Sequence, residues 1–142
     1  MPYFYRRGDI LKNISSFFIR ILSVKINKTF GNVYFIDEAA FKDCKSLKSV
    51  NIYYANDIST RAFYKCVSLE KVDIDTSCIG EKAFYGCKKL KNVSIPAKVK
   101  KIGASAFQNC TSLTKATIPS STTEIGKNAF KGDKKLKTIV IN

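Results

Sequence analysis

Apolar residues recur along this chain at fixed internal offsets, and the pattern restarts at nearly equal intervals. Phe41, Phe63, Phe84, Phe107 and Phe130 follow one another at separations of 22, 21, 23 and 23 residues. Each is preceded by Ala and by an Ile five residues upstream, and is followed by Cys44, Cys66, Cys87, Cys110 or Asp133 three residues later. Leu47, Leu69, Leu90, Leu113 and Leu136 come next, then Val50, Val72, Val93, Ala116 and Ile139, then Ile52, Ile74, Ile95, Ile118 and Ile141. Length varies only between that last Ile and the next first Ile, in Ile58, Ile79, Ile102 or Ile125. Residues that interdigitate with a neighbouring coil must hold their spacing, whereas a surface connection is free to vary, so the pattern predicts a stacked solenoid.

Two elements are predicted per unit. The Leu-x-x-Val-x-Ile stretch ends in period-two alternation of β-branched residues, which predicts a short half-buried strand; Pro96 and Pro119 stand where it stops. The Ala-Phe-x-x-Cys-x-x-Leu stretch spaces apolar groups three or four apart, which predicts one short helical turn with Phe and Leu facing inward. Gly80, Gly103 and Gly126 precede that turn, as a tight bend suits, although Asp37 and Ser59 hold the same slot in the first two units. The expected class is an α/β repeat of five coils, each of 21–23 residues. One coil cannot bury its apolar stripe alone, and about three or more must stack to be stable.

The pattern Ile-Gly-x-x-Ala-Phe-x-x-Cys-x-x-Leu-x-x-Val-x-Ile-Pro, nearly whole from Ile79 to Pro96, resembles the BspA-like leucine-rich repeat of bacterial and protist surface proteins. The resemblance covers residues 36–142. It implies a right-handed leucine-rich-repeat solenoid and a non-enzymatic module, often cell-surface, adhesive or protein-binding. The scaffold does not name its ligand.

Residues 1–35 fit the repeat poorly and are read as an N-terminal cap. It would combine a helix over Ile10–Ile19 with a degenerate strand at Leu22, Val24 and Ile26, because a terminal coil needs cover. Two rival readings are a signal peptide, disfavoured because Lys12 and Arg20 break the apolar run, and a basic membrane-surface helix carrying Arg6, Arg7, Lys12 and Arg20. No stretch has the ~18 uncharged apolar residues that span a bilayer. The resemblance implies a cell-surface location, whereas the lack of a recognisable signal peptide or spanning segment equally admits the cytoplasm. At the other end the fifth strand runs to Asn142 with no capping segment, an expected surface for self-association.

Composition changes the picture in two ways. The chain has no histidine, which removes Ser-His-Asp and Cys-His catalysis, HExxH and Cys2His2 zinc sites, and an imidazole pH switch. No glycine-rich loop has phosphate-cradling spacing, the carboxylates are scattered over variable positions, and no cofactor is implied. An enzyme is therefore not expected. The net charge of +14 attracts polyanions, but it is uneven. Residues 36–78 carry six Lys/Arg against seven acids, residues 79–142 thirteen against three.

Three groups are candidates for chemistry. Cys44, Cys66, Cys87 and Cys110 share one slot and read as a ladder of buried thiols, the rival being vertical disulfides; Cys78, in a connection, is the accessible thiol. Strand residues between the inward positions face outward. They offer a protein partner Asn51, Tyr53, Lys71, Asp73, Asp75, Ser94, Lys115 and Thr117, with Tyr53, Asp73 and Asp75 as the hot spot and Tyr54 as a second aromatic. The alternative ligand is a polyanion, sulfated glycan or anionic lipid, on Lys88, Lys89, Lys98, Lys100, Lys101, Lys134 and Lys135. Lysine rather than arginine dominates and no aromatic platform is interleaved, which argues against specific nucleic-acid binding.

Overall fold

The computed structural model describes residues 23–26, 35–53 and 55–142. The expected cap helix and the two rival readings of residues 1–20 lie outside them, as does Tyr54. Long strands β1 (Ser23–Ile26), β3 (Ser49–Ile52), β5 (Lys71–Ile74), β7 (Asn92–Ser94), β9 (Lys115–Ile118) and β11 (Thr138–Ile141) alternate along the chain with shorter ones. The two-residue strands are β2 (Phe35–Ile36), β4 (Asp57–Ile58), β6 (Cys78–Ile79), β8 (Lys101–Ile102) and β10 (Glu124–Ile125). All pairings are parallel and link equivalent slots one coil apart, such as Val50 with Val72 and Ile58 with Ile79. We number the coils 1 to 5 from Ile36, Ile58, Ile79, Ile102 and Ile125. Parallel strands joined within one sheet cross over right-handed almost without exception.

The short strands form one continuous sheet of five, β10-β8-β6-β4-β2. The long strands form two sheets of three, β1-β3-β5 and β11-β9-β7, so the long-strand face is interrupted between coils 2 and 3. The connection there is the shortest, and it is pinned by the buried Thr76, whose hydroxyl donates to the Asn56 carbonyl at 2.7 Å. Val72, in an inward slot, is only half-buried beside this interruption.

Between each short and long strand the chain makes successive tight turns; among the described residues there is no helix. The expected helical turn is replaced because two residues per coil adopt left-handed backbone conformations. They lie two before and two after the phenylalanine: Arg61 and Lys65 (φ 57° and 55°), Lys82 and Gly86 (54° and 70°), Ser105 and Asn109 (58° and 61°). A left-handed residue breaks the i to i−4 ladder, so alternate N–H groups close three-residue turns while the others reach the next coil. Cys66 N–H donates to Phe63 O at 3.2 Å, and Phe63 N–H donates to Ala83 O at 2.8 Å. Apolar spacing of three and four is shared by a helix and by such turns, and inter-coil bonding selects the turns.

The glycines also differ from expectation. Gly80, Gly103 and Gly126 do not have positive φ; the left-handed bend falls two residues later. What requires glycine is contact. A Cβ on Gly103 would lie 2.5 Å from Glu81 N and 2.6 Å from Gly80 C of the coil before.

The core is a set of rows running along the solenoid. Phe41, Phe63, Phe84, Phe107 and Phe130 stack with ring centroids 5.0, 5.2, 5.3 and 5.4 Å apart and interplanar angles of 1–6°. Rows of Ile, Ala, Leu and Val surround them, almost all inaccessible to solvent in coils 1 to 4. In coil 5 the inward slots are open: Ile125 is 49%, Ile139 49% and Ile141 70% exposed.

Candidate functional site

The cysteine slot is a hydrogen-bonded ladder. Cys66, Cys87 and Cys110 donate their thiols to the carbonyls of Phe41, Phe63 and Phe84, each one coil earlier, at 3.1, 3.4 and 3.2 Å. All five cysteines are free, so the vertical disulfides do not form. Burial, followed by hydrogen bonding to Cys110, pushes the Cys87 thiol well above its ordinary pKa, so this sulfur stays protonated. Cys78 is half-buried on the short-strand sheet, and its pKa is raised by burial and then by Asp57. Among the described residues no three Cys, Asp or Glu side chains are grouped to hold a metal ion.

Asp133 occupies the same slot in coil 5 and is buried, 8% exposed. Its Oδ1 accepts the Cys110 N–H at 2.8 Å, while Oδ2 has no hydrogen-bond partner. Burial raises its pKa to about 7, against the lowering effect of the Cys110 bond.

The outward residues of the long strands form rows, as alternation requires. Strand pairing sets Asn51 beside Asp73 and Ser94 beside Thr117 in a central row, with Val140 at its end. Lys71 pairs with Ser49, and Lys115 with Asn92 and Thr138, in the row nearer the turns. Tyr53 and Asp75 follow the ends of β3 and β5. The Tyr53 hydroxyl donates to Asp73 Oδ2 at 2.6 Å, joining coils 1 and 2. That bond, with some burial, raises the Tyr53 pKa, so the phenol keeps its proton. Lys98 Nζ lies 3.9 Å from Asp75 Oδ2. Tyr53, Asp73 and Asp75 thus meet beside the break between β5 and β7, which the sequence did not signal beyond the short connection.

The seven lysines proposed for a polyanion do not form one site. Lys88, Lys89, Lys134 and Lys135 lie where the turns lead into the long strand, before β7 and β11. Lys98, Lys100 and Lys101 follow β7, on the opposite margin of the long-strand face. This second group is tied internally: Lys98 to Asp75, Lys101 to Glu124 at 3.0 Å, and Lys100 Nζ donating to the Ser121 carbonyl at 3.4 Å. Sequence reasoning missed Lys45, Lys48, Lys91 and Lys137, which share the first margin. Aligning the coils by slot, rather than counting charge by segment, would have found them.

On the turn side Tyr64 and Tyr85 stack at 5.0 Å, Lys42 and Lys65 lie 5.8 and 5.4 Å from the Tyr64 ring centre, and Asn109 Nδ2 donates to the Tyr85 hydroxyl at 2.9 Å. This row fastens successive turns together and leaves neither tyrosine face free between the two rings.

Comparison with known proteins agrees with this architecture. The family model of the BspA-type leucine-rich-repeat region matches residues 12–137 in six copies. A search of curated proteins finds no match. Among solved structures, a leucine-rich cell surface protein from Faecalibacterium prausnitzii is 31% identical with a TM-score of 0.79, over 87% of this chain and 32% of that one. A leucine-rich-repeat protein of T. pallidum is 27% identical with a TM-score of 0.79, over 83% and 57%. The pneumococcal vaccine antigen PcpA is 25% identical with a TM-score of 0.66, over 86% and 30%. The chain thus spans about a third to somewhat over half the length of these structures. Five stacked coils, their conserved-spacing rows and the six-copy match lead to one conclusion: the chain belongs to the BspA-type leucine-rich-repeat proteins.

Proposed function

We propose that this chain is a non-catalytic, adhesin-like protein-interaction module that holds its partner against the long-strand face, centred on Tyr53, Asp73 and Asp75. The observation that carries the reading is the Tyr53–Asp73 hydrogen bond beside the interruption between β5 and β7. It fixes an aromatic ring and a carboxylate in one place on a face that is otherwise short-chained and polar. Ordering such groups before binding lowers the entropic cost of association, and buried tyrosines are frequent hot spots. Asn51, Ser94 and Thr117 would supply hydrogen bonds around them, with Lys71 and Lys115 at the rim. The absence of histidine from the sequence and the resemblance to a cell-surface protein of known structure support a binding role over a catalytic one.

The test is capture of surface proteins from intact cells by the whole chain, followed by the variant Tyr53→Ala/Asp73→Lys. Proteins retained by the wild type should be lost by the variant while its thermal unfolding stays near that of the wild type. Undiminished capture refutes the assignment of the face, and loss of folding refutes the outward orientation of these residues.

A further inference from the structure

One margin of the solenoid carries lysine in all five coils. It is the corner where each coil leaves its turns for its long strand, made of the two residues after the cysteine slot and the two after the buried leucine. Coil 1 places Lys45 and Lys48 there, and coil 3 places Lys88, Lys89 and Lys91. Coil 5 contributes Lys134, Lys135 and Lys137, whereas coils 2 and 4 add one lysine each, Lys71 and Lys115. All ten are exposed. None is in an ion pair among the described residues, and Glu70 is the one carboxylate in these slots. The opposite margin behaves differently, since Lys98 and Lys101 there are paired with acids.

The spacing is informative as well as the sign. Successive coils stack at 5.0, 5.2, 5.3 and 5.4 Å along the phenylalanine row, across the β5–β7 interruption as elsewhere, close to the roughly 4.8 Å of paired strands, so the dense clusters of coils 1, 3 and 5 recur at about 10 Å and span roughly 20 Å. We propose that this margin binds a linear sulfated glycan lying along the solenoid axis, with successive sulfate groups on the lysine clusters of alternate coils. A disaccharide is comparable in length to two coils, so a chain sulfated once per disaccharide presents its charge with the period of the lysines. Duplex nucleic acid spreads one charge over about 1.7 Å of axis, without such clustering. Single strands are gripped by aromatic stacking, and no aromatic residue occupies these slots. An anionic membrane offers a plane, which a single edge touches along one line, and the margin carries no large exposed apolar side chain to insert. Lysine ammonium groups are compact point charges, suited to sulfate without the planar bidentate geometry that arginine supplies.

The experiment measures binding of the whole chain to immobilised heparin for the wild type and two triple variants. Lys88→Gln/Lys89→Gln/Lys91→Gln and Lys98→Gln/Lys100→Gln/Lys101→Gln remove the same three charges from the two margins. The first should weaken binding about tenfold or more and the second less than about threefold, with log Kd rising linearly in log salt for the wild type. Chemically desulfated heparin should not compete. Equal weakening by both triples would overturn the proposal in favour of diffuse attraction by net charge. Stronger competition by single-stranded DNA or phosphatidylserine vesicles than by a heparin hexasaccharide, or no binding at low salt, would also overturn it.

Discussion

Asp133 makes the stability of coil 5 depend on pH in a direction opposite to that of most carboxylates. In coils 2 to 4 the atom in this slot is a thiol that donates to a phenylalanine carbonyl one coil earlier. A carboxylate has no proton to donate, and Asp133 Oδ2 is buried without a partner. Its folded pKa is about 7, against about 3.9 in an unfolded chain. The folded form therefore binds the proton more tightly, and the stability it confers is complete below about pH 4 and is lost as pH rises through 7. About three units correspond to roughly 4 kcal/mol for a fully shielded group, and solvent at the open outer side of coil 5 reduces this to about 2. The Lys131, Lys134 and Lys135 side chains on the same turns are exposed and point their charge into water. Asp133→Asn keeps the shape, accepts from Cys110 N–H, offers an N–H toward Phe107, and does not titrate. Urea unfolding at pH 5 and pH 8 should show the wild type losing about 1.3 kcal/mol over that interval, some two thirds of the total, and the Asn variant losing little, so that the variant is the more stable at pH 8. Because repeat arrays can unfold in parts, amide exchange at Cys110 supplies a local readout. Identical pH slopes for the two proteins would refute the account.

Four further outcomes follow from the packing. Phe84→Ala removes a fully buried ring from the middle of the stack and should cost about 3–5 kcal/mol in denaturant unfolding; a cost below about 1 would mean the stacked row is misassigned. Gly103→Ala forces a methyl against backbone 2.5 Å away and should cost about 1–3 kcal/mol. Gly86→Asn should cost under about 1 kcal/mol in the same assay, because a Cβ there meets Lys65 at ordinary contact distances, Cγ at 3.4 Å and Cα at 3.9 Å, and Asn109 already holds the equivalent left-handed slot. Titration of the native protein with a thiol reagent should modify Cys78 alone, more slowly than a free cysteine because its pKa is raised, and all five thiols should react in guanidinium; rapid native labelling of Cys66 or Cys87 would contradict the buried ladder.

The repeat, its strand positions and its inward residues were legible in the sequence because stacking fixes spacing. Phe63, Cys66, Leu69 and Ile74 could be placed in rows without coordinates, and parallel pairing put them there. A helical turn and the observed turns are not separable by pattern, because Phe63, Cys66 and Leu69 satisfy helical spacing and turn spacing alike. What separates the two is the left-handed backbone at Arg61 and Lys65, residue types that carry no such signal. The role of Gly103 was equally hidden, since a glycine chosen for close approach looks like one chosen for a bend. The Tyr53–Asp73 bond depends on which row faces which across coils of 22 residues, and residue identity alone does not give that. The long-strand interruption reflects a connection only one residue shorter than its predecessor, too small a change to read from a pattern.

In this solenoid the core and the recognition surfaces draw on separate slots. A residue such as Leu90 touches equivalents above and below and is held to one size, whereas Lys89 and Lys91 beside it meet water and can change without strain. Outward slots therefore accumulate character as rows along the axis, limited chiefly by their own electrostatics. Two lysines in the same slot of adjacent coils, about 4.8 Å apart, repel by about 0.9 kcal/mol in water; at about 9.6 Å the figure is about 0.4, further screened by salt. Concentrating lysine in coils 1, 3 and 5 thus keeps the cationic margin affordable to the fold, and the same alternation sets the spacing that a periodically charged glycan would match. The acidic residues Asp73 and Asp75 sit in coil 2, where this margin has only Lys71. The two proposed surfaces, one for a protein and one for a polyanion, therefore meet at Lys71 and Lys115, while their centres, Tyr53 with Asp73 and Asp75 on one and the lysine clusters of coils 3 and 5 on the other, stand apart.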